Sequence, residues 1–451
     1  MTTQPALFEL PEPQAAPATR APRLDALVQR PQRHQTELAV FTLDDRVPLD
    51  HPVRAIEAVL AHLDLTALDA RIRANADDGG RPAIDPRILL TLWVQGTTDG
   101  IVHASDLARR LRTDDIYRWI GGGVLVGERK LADFRAQGGP VFDALLTQVL
   151  VAMMSEGLVD LHRTAQDGTR VRAWAGADSF RRHDTLEVLL AEVKAHLAAL
   201  RAQPREPRQS EVARVAKERG AQQRVERLER AVARARELTA ERTEEERKDT
   251  KKAPRVSATD PEATRMKMGD GGVRPAYNVQ FETVADGTGA IAAVSVSNRG
   301  NDDGEMAPMT AQVEERTSER PAEKLVDGGY MQKEDIRRVE KAGTKVFAPV
   351  PKKSAAPGGV RDAQRSAEEQ AFHERIRSDE GKAVYAKRGE VAELTNAHAK
   401  TRHGMTTIVL QGLKGALTIA LLVALTKNVQ VLVRERGEAA HAAATLSSKR
   451  S

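Results

Sequence analysis

The side chains of this sequence best suited to chemistry are carboxylates. Asp167, in Ala-Gln-Asp-Gly-Thr, and Asp327, in Leu-Val-Asp-Gly-Gly-Tyr, each sit where a short strand is predicted to end, and each precedes a glycine. A strand end holds a carboxylate rigidly at the rim of a sheet, and glycine leaves room beside it for a metal or a phosphate. Asp-Gly is equally a hairpin signal, which the chain repeats at Asp286-Gly287 and Asp303-Gly304. Other chemistries have no carriers. The absence of cysteine excludes thiol nucleophiles, cysteine-ligated zinc, iron–sulfur clusters and disulfides. The 11 histidines are dispersed, with no His-x-x-x-His pair, and neither a Gly-x-Ser-x-Gly elbow nor a Gly-x-x-x-x-Gly-Lys loop occurs. A site made only of carboxylates suits Mg²⁺ or Mn²⁺. Two such ions roughly 4 Å apart catalyse phosphoryl transfer by clamping the attacking and leaving oxygens.

The elements that must position these acids differ in texture along the chain. With 451 residues, 41% of them hydrophobic and 29% charged, the composition is globular and allows two to four domains. Lys and Arg exceed Asp and Glu by 5, which permits a nucleic-acid partner without requiring one. Aromatic residues are only 3%, so the core rests on Ala, Val, Leu and Ile. Residues 1–37 read as a disordered, proline-rich arm and 436–451 as a flexible tail. The apolar stretch 415–433 is broken by Lys427, Asn428 and Gln430, so a buried helix is expected there and a cytoplasmic protein overall.

Residues 38–158 read as helical throughout. Asp50 and Pro52 start one helix, with Val53, Ile56, Val59, Leu60 and Leu63 as its apolar stripe; Asp85 and Pro86 start the next. Arg109, Arg110, Arg112, Arg118, Arg129 and Arg135 suggest a helix-turn-helix-like DNA reader, or a plain bundle with a solvated basic face. Around Asp167-Gly168, Val159, Leu161, Val171 and Ala173 suggest two short strands joined by a turn. Residues 185–255 form a charged helical block with 18 Lys/Arg and 13 Asp/Glu, split by Pro204 and Pro207 into a hairpin. Strands follow at 277–284, 290–297, 324–326 and 344–350, with helices at 305–318 and 333–342. A loop at 351–365 leads to a long helix over 367–400 and a last apolar helix over 410–433.

Seven pieces in order carry a family resemblance: Asp167-Gly168-Thr169; Thr259-Asp260-Pro261-Glu262-Ala263; Asp270-Gly271-Gly272; Tyr277-Asn278-Val279-Gln280; Asn298-x-Gly300-Asn301-Asp302; Leu325-Val326-Asp327-Gly328-Gly329-Tyr330; and Glu380-Gly381-Lys382-x-x-Tyr385-x-x-Arg388. Over about residues 40–435 the chain resembles the DDE transposases of bacterial insertion sequences. Gly80-Arg81-Pro82, Asp85-Pro86-Arg87 and Leu131-Ala132-x-Phe134-Arg135 resemble the helical domain that precedes their catalytic domain.

The resemblance implies an α/β chain with an RNase H-like mixed sheet and flanking helices over 159–435. An all-helical DNA-binding domain over 38–158 precedes the sheet, and the charged hairpin at 185–255 interrupts it. It implies Asp167, Asp327 and Glu393 as catalytic and metal-holding acids for two Mg²⁺ or Mn²⁺ ions. Glu393 belongs to a signature with Tyr385, Arg388 and Lys400, which would contact DNA. At ~100° per helical residue, with Tyr385 at zero, Arg388 falls near −60°, Glu393 near +80° and Lys400 near +60°, a single face. Glu390, near +140°, is the other candidate for the third acid. Where the family often shows Pro and Phe-Gly after the Glu, this chain has Leu394-Thr395-Asn396-Ala397. The implied activity is binding of terminal inverted repeats in double-stranded DNA by a homodimer, followed by strand cleavage and transfer. The alternatives are a catalytically inactive descendant that only binds DNA, and an interaction protein built around the charged block.

Overall fold

Proline and short polar caps start the helices of the first region. The computed structural model describes residues 40–70, 82–203, 208–243, 253–349 and 366–448. Gly80, Arg81, Pro204, Pro207, the loop 351–365 and the expected N-terminal arm lie outside them. Helix α1 (Pro52–Ala61) opens on proline, and the cap is His51 rather than Asp50: its Nδ1 accepts from Val53 N at 3.1 Å. A four-residue helix α2 (Thr66–Asp69) follows. Helix α3 (Pro86–Thr98) is capped by Asp85, which accepts from Arg87 N at 2.8 Å. Among the described residues four more helices follow: α4 (Ala104–Thr113), α5 (Asp115–Gly121), α6 (Glu128–Gln137) and α7 (Gly139–Ser155).

Two features of this region differ from the sequence reading. Arg135 is not a surface group. It is 6% exposed, its guanidinium lies 4.1 Å from the Trp93 ring centre, and its Nη1 donates to Val102 O at 2.5 Å. Burial pulls its pKa down to about 10. Arg109, Arg110, Arg118 and Arg129 each pair with an aspartate three or four residues away, so their charge is partly answered within the helices.

The central sheet begins with one continuous strand, β1 (Arg163–Arg172), not with two strands around a turn at Asp167-Gly168. Nine successive residues pair antiparallel with β5 (Val273–Val284), from Thr164 with Val284 to Arg172 with Ala276. That long partner overrides the local Asp-Gly turn preference. The other edge of β5 carries β4 (Thr264–Lys267) and β6 (Ile291–Ser297), both antiparallel. On the far side of β1 lie β7 (Glu323–Leu325) and then β8 (Lys345–Phe347), both parallel. Helices α10 (Met306–Thr317) and α11 (Lys333–Lys341) connect these strands. The result is a mixed α/β fold with a helical N-terminal region.

The charged block stands beside the sheet. Short strands β2 (Phe180–Arg181) and β3 (Val256–Ser257) pair antiparallel at its base. Between them run α8 (His183–Ala202) and α9 (Arg208–Ala240). Cross-contacts of Glu187 with Arg236, Lys194 with Glu229 and Arg201 with Gln222 fix the two helices antiparallel. Leu186, Val193, Leu197, Val225, Leu228 and Val232 form their private apolar seam.

The expected long helix over 367–400 is broken. Helices α12 (Ala367–Arg377) and α13 (Asp379–Ala386) meet at Ser378, which is extended and caps the second. A π-helical turn, Gly389–Glu393, then leads into α14 (Leu394–Thr401). The last helix, α15 (Gly412–Ser448), continues through most of what reads as a flexible tail. Its Gly412–Glu438 part is apolar and long enough to cross a membrane, but 78% of the apolar window is buried against protein, as in a core helix. It shares one apolar core with α1, α3, α7 and the sheet.

On the opposite sheet face Lys324 and Glu282 form an ion pair of 2.7 Å with neither side chain exposed. Thr164 Oγ1 donates to Glu282 at 2.7 Å, and Lys324 also donates to Thr310 Oγ1 at 2.8 Å and to Met306 O at 3.2 Å. Burial pushes the Lys324 pKa down while the Glu282 charge opposes it. Removing one member strands a buried charge, so Lys324→Ala is expected to cost about 3–5 kcal/mol in denaturant unfolding. The double change Lys324→Met with Glu282→Leu should recover much of that loss. A single variant as stable as wild type would contradict this role.

Candidate active site

Strand register brings the two aspartates together. β1 and β7 run parallel with Ala165 opposite Leu325. Asp167 and Asp327 each lie two residues beyond that last pair, Asp167 still in β1 and Asp327 past the end of β7, near enough for the Asp327 charge to act on Asp167. Asp167 is therefore in mid-strand, while Asp327 follows a strand end and caps the short turn Gly328–Tyr330 by accepting from Gly329 N at 2.7 Å. Asp167 is mostly buried, and burial raises its pKa. The Arg388 charge pulls it down, and Asp327 and Asp302 push it up.

The signature segment closes over Asp167. Arg388 Nη2 donates to Asp167 Oδ1 at 2.9 Å and Asn396 Nδ2 donates to Oδ2 at 2.9 Å. Arg388 Nη1 lies 3.7 Å from Glu393 Oε1, so one guanidinium bridges the two acids and keeps those oxygens within roughly 9 Å. The Glu393 side chain is nevertheless 70% exposed, and Glu390 is exposed too. Ala392, buried against Ala165, Leu325 and Phe347, seats this segment on the sheet. In the helix-face arithmetic Asn396 falls near +20°, the middle of the arc, and it, not Glu393, meets Asp167. The π-helical turn over Gly389–Glu393 shifts the register of the residues before it against those after. Lys400 lies on the Asn396 side of α14, four residues on; burial lowers its pKa and the Asp167 charge opposes that. Burial raises the pKa of Tyr385, which feels Arg388, Asp327 and Asp167.

A third aspartate, to which the sequence reading gives no role, joins the pair. A Cβ built on Gly329 would lie 3.0 Å from Asp327 Oδ1 and 3.2 Å from Asp302 Oδ2, so the two carboxylates flank this glycine. Asp302 Oδ1 accepts from Asn278 Nδ2 at 2.7 Å and from Gln280 Nε2 at 2.5 Å. Gln280 in turn accepts from the buried Tyr330 hydroxyl. The signal was present: Asn278 and Gln280 are two apart on a strand and so point to one face, and Asp302 ends one of the recurring motifs.

Oxygen donors of this kind suit a hard divalent cation. Asn396 Oδ1 is buried without a partner beside them. Both Asp167 oxygens are engaged, however, so loading an ion means exchanging the Arg388 and Asn396 contacts. Among the described residues no group of three or more His, Cys, Asp or Glu converges closely enough to hold a metal ion.

Two outcomes follow from this geometry. A methyl group at Gly168 would collide with Asp302 and Gln280, so Gly168→Ala should destabilise by about 1–3 kcal/mol on unfolding through overpacking. Unchanged stability would mean that glycine is not needed there. Because the folded pKa of Asp167 is raised, the folded state holds the extra proton between the ordinary 3.8 and the raised value. Wild-type stability relative to Asp167→Asn should therefore fall as pH climbs through that window and stay level above it. Melting curves at stepped pH would read this, and a difference that rises with pH would contradict it.

Two family comparisons match the chain. Residues 41–137 match a family described as Transposase domain (DUF772), and residues 353–433 match one described as Transposase DDE domain. The second match takes in Tyr385, Arg388, Glu393 and Lys400 but not β1 or Asp327. No curated protein and no solved structure matches. A transposase domain over its helical region and a transposase DDE domain over its signature helix support an insertion-sequence DDE transposase.

Proposed function

We propose that this chain cuts the ends of an insertion sequence and joins them to target DNA, with Asp167, Asp327 and Glu393 as its acids. The observation that carries the reading is that Asp167 in β1 and Asp327, just past the end of the parallel strand β7, lie close enough for the Asp327 charge to act on Asp167, beneath the Tyr385–Lys400 segment. A mixed sheet with strands in the order β6-β5-β1-β7-β8, with one acid in central strand β1 and the other just past the end of its neighbour β7, supports an RNase H-like catalytic domain.

In this reading, water first attacks the phosphorus at the element end, and the P–O bond to the element's 3′ oxygen breaks, freeing a 3′-OH. That hydroxyl then attacks a target phosphodiester: a new P–O bond forms and the target's own 3′ oxygen leaves with the proton. Asp167, Asp327 and Glu393 would hold two Mg²⁺ or Mn²⁺ ions. Bound there, these would activate the attacking oxygen and stabilise the leaving one. Arg388 opposes the rise that burial gives the Asp167 pKa and, with Lys400, offers positive charge to phosphates. Tyr385 stacks on the strand end. The helical region over 38–158 binds the terminal repeats, and a homodimer brings two ends together. The protein works on DNA in the bacterial cytoplasm, at the nucleoid.

One observation favours a second reading, a catalytically inactive descendant that still binds DNA. Asn396 occupies the contact with Asp167, and Glu393 faces outward. A cleavage assay and a gel shift on one end fragment separate the two. The active reading expects metal-dependent nicking that Asp327→Asn and Glu393→Gln abolish, while Glu390→Gln and DNA binding are spared, since an amide is a poorer metal ligand than a carboxylate. Full nicking in excess EDTA would remove the metal mechanism. Binding without nicking in wild type would leave the inactive reading.

A further inference from the structure

Behind α14, on the side away from the acids, lies a cavity of about 500 Å³ with an unbalanced charge. It opens where three parts of the fold meet: the C-terminal end of α3, helix α14 and helix α15. Its charged lining is His398, Arg402, His403, Lys427, Arg434 and a single acid, Asp99. Asp99 is already engaged: Oδ2 accepts from Tyr117 at 2.5 Å and Oδ1 from Gln95 at 3.1 Å. Arg434 is paired with Glu435 and also donates to Thr288 O. Lys427 is half-buried, and neither its ammonium group nor the Arg402 guanidinium has a hydrogen bond or ion pair among the described residues.

The cavity carries a cost in the absence of a ligand. Burial lowers the Lys427 pKa, and the charges of Arg434 and Arg402 lower it further. His398 is lowered by burial and then by Lys427 and Arg402. Buried His403, held to Thr97 O, is pulled down to about 4 and stays neutral. Half-buried Lys427 and exposed Arg402, neither with a counter-ion among the described residues, thus line one polar space large enough for a tetrahedral anion.

We propose that this cavity is a phosphate-binding site, with Lys427 and Arg402 as its charged ligands, and that it takes a backbone phosphodiester of the bound DNA. The lysine offers a point charge and the arginine a fork, the usual complement to phosphate oxygens. Position favours DNA as the source. Arg402 is six residues beyond Asn396, roughly 9 Å along the helix axis, and His398 and Arg402 share the face opposite Asn396. A strand leaving the acids can thus reach the cavity within a few nucleotides. The DNA assignment rests on the transposase reading; the anion site does not.

The test uses the full-length chain and two probes. Inorganic phosphate should raise the melting temperature of wild type and of Lys427→Arg, but not that of Lys427→Gln with Arg402→Gln. The neutral variant, relieved of mutual repulsion, should melt no lower than wild type without phosphate. With duplex DNA, the slope of log affinity against log salt should become shallower by about 0.9 in the double neutral variant, the value for one lost phosphate contact. Equal phosphate response in wild type and double variant would overturn the site. A lost phosphate response with an unchanged salt slope would overturn DNA as its source. Wild type that binds no duplex would sink the transposase reading itself and leave the phosphate arm to decide the anion site.

Discussion

The buried pair of Lys324 with Glu282 is the constraint on which the site depends. It joins β7 to β5 across β1, and each charge is fully removed from water. β7 is only three residues long, too short to fix its own register by backbone bonds alone. A one-residue slip would turn its apolar set to the wrong face. It would also withdraw Lys324 from Glu282, Thr310 and the Met306 carbonyl, leaving buried charges without partners. The pair thus selects one register, and that register leads Asp327 to the side of Asp167.

A second constraint acts from the opposite sheet face. Ala392 packs on Ala165, Leu325 and Phe347, the same short stretch of strands that bears the acids. The π-helical turn then rotates the signature segment so that Arg388 and Asn396 both reach Asp167. Burial raises the Asp167 pKa, and one cation and one amide offset part of that rise. The helix α15 supports this arrangement from behind: its Asn428 exchanges two hydrogen bonds with the backbone of Ile291 in β6, and its apolar length joins the helical region to the sheet. Among the described residues the seam of the charged hairpin is closed on itself, and the β2–β3 pair ties its base.

Much of this was legible in the residues. Alternation over 277–284 and 290–297, and the apolar stripe of α1, follow from periodicity, and the order of the short motifs pointed to the family. Three things were not. The Asp167-Gly168 dipeptide reads as a turn because its strand partner is more than a hundred residues away, and only that pairing makes it mid-strand. The breaks at Ser378 and over Gly389–Glu393 are set by packing against the sheet, so helix-wheel angles computed from Tyr385 drift before they reach Glu393. Arg135 looks like a surface cation until Trp93, on another helix, is seen beneath it.

The claim at the centre is that β1, the end of β7 and the signature helix share one divalent cation site. Replacing Mg²⁺ by Fe²⁺ and generating hydroxyl radicals at the bound metal would test it directly, because cleavage is confined to backbone near the ion. The account predicts cuts clustered near 165–169, 325–330 and 388–400, suppressed by excess Mg²⁺. Cuts that avoid β1 and β7, or none that Mg²⁺ can compete away, would contradict it.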